Sequence, residues 1–115
     1  MKLKIASTIG KNCITTDDGE RIYRIIHPEL IKGHDVTLDF SGVEIFASPF
    51  FNAAIGQLLS DIKIRKLELH LQTTGLTQHG THVLNRVIEN AHNYFTNPHF
   101  RESVEKVLAQ QSIDL

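Results

Sequence analysis

"DFSGVEIFASPFFNAAIGQLL", residues 39–59, decides how the chain is read. Its first two residues close the stretch "DVTLDF", in which Val36, Leu38 and Phe40 alternate with Thr37 and Asp39, the period of a strand with one apolar face. Ser41 and Gly42 then form a turn, and Val43, Ile45 and Phe46 bring apolar side chains back to the core. Ser48 directly precedes Pro49. A hydroxyl can accept a hydrogen bond from a free helix amide, and Pro has no amide to leave unpaired at a first helical position, so helix capping is the expected main role of Ser48. The helix expected after it carries Phe51, Ile55, Leu58 and Ile62 on one stripe, widened by Phe50, Ala54 and Leu59. Asn52, Gly56, Ser60 and Lys63 fall on the opposite side. Gly56 stands out there, because an interior Gly costs a helix about 1 kcal/mol relative to Ala, and it either admits another backbone or keeps a docking surface flat.

Upstream, "KLKIAS" sets Leu3 and Ile5 against Lys2 and Lys4, which predicts a strand near residues 2–6. Gly10 turns the chain, and "NCIT" adds a short second strand. Thr15 and Thr16 followed by Asp17, Asp18 and Glu20 suit the positive end of a helix, with Ile22, Ile25, Ile26 and Leu30 at helical spacing behind them. Pro28 disfavours helical geometry at His27, so a kink or restart is expected there. Downstream, "KLELHLQ" alternates Leu67, Leu69 and Leu71 with Glu68, His70 and Gln72, which predicts a strand over 67–72. "HVLNRVIENAHNYF" then reads as a helix with Val83, Leu84, Val87, Ile88, Ala91 and Phe95 on one stripe. Asn97 and Pro98 end it and begin a further helix with Phe100, Val104, Val107 and Leu108.

Strands with one apolar and one polar face describe a sheet covered on one side, whereas a doubly wound sheet needs continuously apolar strands. The pattern predicts the α/β class in the form of an α+β sandwich: a small mixed sheet of about four strands with helices mainly on one face. At 115 residues a single domain over 1–115 is expected. The 12 basic and 13 acidic side chains give a net charge of -1, which offers no attraction to phosphate backbones or anionic lipid, so neither nucleic acid nor a membrane is an expected partner. One cysteine, Cys13, forms no intrachain disulfide, and a cytoplasmic location is the expectation. Nothing in the pattern fixes an oligomeric state.

Seven histidines invite a metal reading, and "QHGTH" places His79 and His82 three residues apart. No cysteine or carboxylate beside them supplies a third ligand, while zinc needs three or four, so no metal or other cofactor is expected. Cys13 reads as a small buried hydrophobe rather than a nucleophile. Asp39 begins a turn, a place where Asp stabilises the backbone without any catalytic role. No glycine-rich phosphate loop or catalytic triad is present, so a non-catalytic role is expected. The alternative is an enzyme or small-ligand protein using a pocket near the 39–50 turn, which a deep pocket joining Asp39 to a histidine would favour.

The run "VTLDFSGVEIFASPFFNAAIGQLL", residues 36–59, resembles the core of the STAS-like family of unknown function: an aliphatic strand, "DF", a "GV" turn, a serine-bearing turn and a helix that begins with Phe. "DDGERIYRII" and "NRVIENA" are similar to the family's first and late helices, so the resemblance extends to about residue 95. It implies the fold of the STAS domains, named for sulphate transporters and anti-sigma factor antagonists, and a regulatory or signalling role exercised by protein contact. In the bacterial antagonists a serine in an Asp-Ser-Ser/Thr-Gly turn is phosphorylated by a partner kinase. Here the turn is Ala47, Ser48, Pro49 and Phe50, with Pro49 where the acceptor hydroxyl would stand, Ala47 in place of the Asp and Phe50 in place of the Gly. Ser48 is thus the candidate phosphoacceptor, although capping is its expected role. The resemblance implies an ATPase-type kinase or another signalling protein as the partner class. The expected binding face is Ser48, Asn52, Gly56 and Ser60.

Overall fold

The computed structural model describes residues 1–97 together with 105 and 106. The chain runs β1 (Lys2–Lys4), α1 (Ile5–Ile9), β2 (Asn12–Cys13), α2 (Thr16–Ile31), β3 (Val36–Asp39), β4 (Ile45–Phe46), α3 (Ser48–Ala54), a 3₁₀ helix (Gly56–Ser60), α4 (Ile64–His70), β5 (Leu71–Thr74) and α5 (Gln78–Thr96). The expected helix with Phe100, Val104, Val107 and Leu108 lies outside the described residues.

Helix α2 shows how local chemistry sets the boundaries. Thr15 caps it by accepting a hydrogen bond from the Asp18 amide, and Asp17 and Asp18 place negative charge at the positive end of the helix dipole. The helix runs through Pro28 to Ile31, so the expected restart at His27 does not occur. Pro28 lies one turn from the end, where its missing amide removes a single hydrogen bond. The helix then closes with the His34 amide bonded to the Glu29 carbonyl and the Gly33 amide to that of Leu30, a Schellman motif in which Gly33 takes the left-handed conformation at φ 81°.

The strands form two parallel sheets, β1-β3-β5 and β2-β4, in place of one mixed sheet of about four strands. The register aligns Lys2, Thr37 and Gln72 in one row, Leu3, Leu38 and Thr73 in the next, and Lys4, Asp39 and Thr74 in a third. Val36, Leu38 and Phe40 are fully buried, whereas Thr37 and Asp39 are half-buried and Lys2, Lys4, Gln72 and Thr74 are exposed. The expected division into a covered and a wet face therefore holds.

Two sequence expectations fail at element boundaries. Residues 64–70 are helical, and the strand begins only at Leu71. Arg65, Lys66, Leu67, Glu68 and Leu69 are all good helix formers, and of the three alternating leucines only Leu67 is buried, while Leu69 is 70% exposed. Residues 2–6 likewise split, with the strand ending at Lys4 and α1 starting at Ile5. The helix after Pro49 is also shorter than its apolar stripe suggests. It stops at Ala54; Ile55 leaves helical geometry at φ -122°, and a 3₁₀ turn follows from Gly56, a poor helix former.

The core gathers the covered faces of the sheets, α2 and α3. Phe40, Phe46 and Phe51 meet with ring centroids 5.8 to 6.0 Å apart, and Phe50 stands edge-on to Phe51 at 5.5 Å. Helices α2 and α3 cross at Gly19, where an added Cβ would lie 2.4 Å from the Phe50 carbonyl oxygen and 2.8 Å from Ala53 Cβ. Only a residue without a side chain allows this approach. It fixes α3 on α2, and within α3 only Ser48, Pro49 and Asn52 are exposed.

Candidate functional site

The start of α3 differs in detail from the expected cap. The Ala47 amide donates to the Cys13 carbonyl at 2.9 Å, which extends the β2-β4 ladder one residue and holds Ala47 at φ -133°, ψ 148°. Ala47 is therefore the N-cap residue, Ser48 the first helical residue and Pro49 the second, and no side chain caps the helix. Ser48 is exposed and its hydroxyl caps no helix amide. The strand pairing overrides the local preference of Ser for the capping position.

Along the same flank, Asn52 is exposed and Gly56 is buried. The Cβ position of Gly56 lies 3.4 Å from Val87 Cγ1, 3.5 Å from Ala91 Cβ and 3.5 Å from Asn52 Oδ1, so Gly56 is where α5 comes close to the end of α3. Asn52 and Gly56 line one groove of about 410 Å³ with Gln57, Asn90, Ala91, Tyr94 and Phe95. A second groove of about 390 Å³ runs on the other side of α3, between Thr16 and Glu20 of α2 and Pro49, Asn52, Ala53 and Gln57. Asn52 and Gln57 belong to both, forming a polar ridge between two shallow depressions. Gln57 is itself held by a 2.5 Å hydrogen bond from its side-chain amide to the Ala53 carbonyl. Ser60 is exposed but lines a third groove, of about 610 Å³, with Asp61, Lys63, Arg65, His92 and Phe95. The four expected face residues thus do not form one helical stripe: Ser48 and Asn52 lie on α3, Gly56 and Ser60 at the two ends of the 3₁₀ helix, and only Asn52 and Gly56 meet.

The other candidate groups are engaged in structural bonds. Cys13 is buried in the core, and burial, with help from the charge of Asp18, pushes its thiol up to about 12, which suppresses the thiolate needed for nucleophilic chemistry. The Asp39 carboxylate accepts hydrogen bonds from the Ser41 hydroxyl and from the Ser41 amide at 2.9 Å; these, with Lys2 and Lys4 nearby, hold it below the usual carboxylate range. It bonds its own turn and, among the described residues, no histidine. The histidines pair elsewhere: His27 with Asp61 at 2.8 Å, His34 with Glu29 at 2.7 Å and His70 with Asp35 at 2.8 Å. The His27 ring also stacks on Tyr23, with centroids 4.8 Å apart.

His79 and His82 are exposed in the first turns of α5, which begins at Gln78 with Thr77 accepting from the Gly80 amide. Gly80 is buried with its Cβ position 3.0 Å from the Phe46 ring. Among the described residues no group of three or more His, Cys, Asp or Glu is placed to hold a metal ion.

Sequence reasoning missed Gln57, because an apolar stripe assigned to one long helix gave it no side, and missed Gly19, because helical spacing carries no record of the helix that crosses there. It also missed the long-range His27–Asp61 and His70–Asp35 pairs, which bring together residues 34 and 35 positions apart. Residues 18–81, just over half of the chain, match a family described as a STAS-like domain of unknown function (DUF4325). The match covers α2 from Asp18 on, β3, the Asp39–Pro49 turn, α3 and β5, and ends in the first turn of α5. No curated protein and no solved structure matches the chain.

Proposed function

The chain belongs to the STAS-like family of unknown function, and from that premise we propose that it is a cytoplasmic regulatory module that acts by binding a protein partner through the outward flank of α3. The observation that carries this reading is the polar ridge of Asn52 and Gln57 with a shallow groove on each side. One flank of α3 is locked into the core through Phe50, Phe51, Ala53 and Ala54. The other offers uncharged amides and small residues beside the aromatic pair Tyr94 and Phe95, the mixture of polar rim and aromatic anchor on which protein partners dock. Ser48 and Ser60 extend the surface at its two ends. An ATPase-type kinase or another signalling protein is the partner class that the family relationship favours.

Among the described residues Asp39 contacts no histidine that would support the enzymatic alternative, while His27–Asp61 and His70–Asp35 join distant parts of the chain. Among the described residues no helix is long and apolar enough to cross a membrane.

The test is capture. The purified domain, immobilised, retains its partner from the native cell extract; the partner is identified by mass and the interaction rebuilt from two purified proteins. Asn52→Arg with Ser60→Arg, both at exposed positions, leaves the thermal melt nearly unchanged and abolishes binding of the purified partner. Undiminished binding by that double variant removes α3 from the interface.

A further inference from the structure

The groove of about 610 Å³ that begins at Leu59 and Ser60 differs in chemistry from the two grooves beside α3. Among their described lining residues those two carry a single charge, that of Glu20. In the larger groove the apolar lining comes from Leu59, Ile62 and Ile64, on the chain that leads into α4, and from the exposed ring of Phe95 on α5. Basic side chains stand among them: Lys63 and Arg65 beside the isoleucines, and His92 on α5. Asp61 is the one acidic side chain among the described lining residues, and it already bonds His27 at 2.8 Å. Lys63 and Arg65 are exposed, and among the described residues neither is in an ion pair. The neighbouring Lys66 is occupied elsewhere, donating to the Ile31 carbonyl at 3.2 Å.

We propose that this groove binds a small aromatic phosphate monoester, its ring against Ile64 and Phe95 and its phosphate on Lys63 and Arg65. Two cations without an acidic partner among the described residues match the charge of a monoester dianion. The planar guanidinium of Arg65 can donate to two phosphate oxygens at once, and the Lys63 ammonium adds a point charge beside it. Inorganic phosphate leaves the apolar lining in water, and a neutral aromatic leaves the cations unmatched, so tight binding needs both halves of the ligand. The volume falls within the roughly 300–1,000 Å³ usual for small-molecule sites. Lys63 and Arg65 lie outside the proposed α3 face, so the two surfaces can be tested independently.

The experiment titrates ¹⁵N-labelled full-length protein with naphthyl phosphate and follows backbone amide shifts. The expected result is saturable shifts concentrated at residues 59–65 and 92–96, with naphthol and inorganic phosphate both binding distinctly more weakly. Lys63→Gln with Arg65→Gln, at exposed positions and checked by an unchanged melt, weakens naphthyl phosphate binding about tenfold, the loss of two exposed ion pairs. Either substitution alone weakens it about threefold, so the result does not depend on the double variant folding. Lys2→Gln with Lys4→Gln removes the same charge from β1 and leaves the affinity unchanged. Four results overturn the proposal: no saturable binding, shifts centred outside those two segments, naphthol or inorganic phosphate binding as tightly as the monoester, or an affinity indifferent to the loss of Lys63 and Arg65. A fall in affinity from the β1 variant equal to that from the groove variant also overturns it, in favour of general attraction to positive charge.

Discussion

Two glycines of similar appearance in the sequence occupy opposite situations in the fold. Gly19 has backbone oxygen and a methyl group inside the space its own Cβ would need, so Gly19→Ala forces α2 and α3 apart. A loss of about 1–3 kcal/mol is expected, the usual cost of overpacking. Gly56 has neighbours at ordinary contact distance and no positive φ, so an added methyl fits against Val87 and Ala91. Gly56→Ala is expected to be neutral, or to stabilise by up to about 1 kcal/mol through the unfolded chain. Chemical denaturation of the two variants side by side checks both values. The order reverses the sequence expectation, in which Gly56 was the conspicuous residue and Gly19 passed unremarked. Composition and spacing reveal that a glycine is unusual in a helix but not which partner approaches it, because the partner comes from elsewhere in the chain.

At the scale of elements, the legible parts of the sequence were those whose signals are local. The capped start of α2, the apolar stripes of α2 and α5 and the alternation of β3 follow from hydrogen bonding and periodicity within one segment, whereas the start of α5 at Gln78, capped by Thr77, lies before the helix the sequence suggested. The boundaries at Ile55 and Leu71 were not legible, because a run of leucines spaced by two satisfies a short helix and a strand alike, and the sheet decides where pairing with β3 begins. The start of α3 failed for a related reason: a tertiary hydrogen bond from Ala47 to Cys13 moved the cap by one residue. The candidate site was accordingly legible as a region, through Ser48 and Asn52, but not as a shape, since Gln57 and the α5 wall enter it from outside the predicted stripe. A measurable contrast follows. Thr15→Ala and Thr77→Ala each remove a side-chain cap and are expected to cost about 1 kcal/mol. Ser48→Ala removes none and is expected to stay within about 0.5 kcal/mol in the same denaturation assay. A Ser48→Ala loss as large as the other two would return Ser48 to the capping role.

For the whole molecule, α2 and the sheets fix one side of α3 so firmly that the other side is presented as a rigid surface, with the α5 residues Asn90, Tyr94 and Phe95 as its far wall. A polar ridge of Asn52 and Gln57 with shallow grooves beside it suits the proposed recognition of a folded partner. Amide hydrogen exchange of the protein alone and in complex with its purified captured partner tests the proposed binding role of α3 most directly. Protection concentrated in residues 48–57 and 90–95 is the predicted result. Protection absent from both segments, or found at Leu71–Thr74 instead, would contradict it.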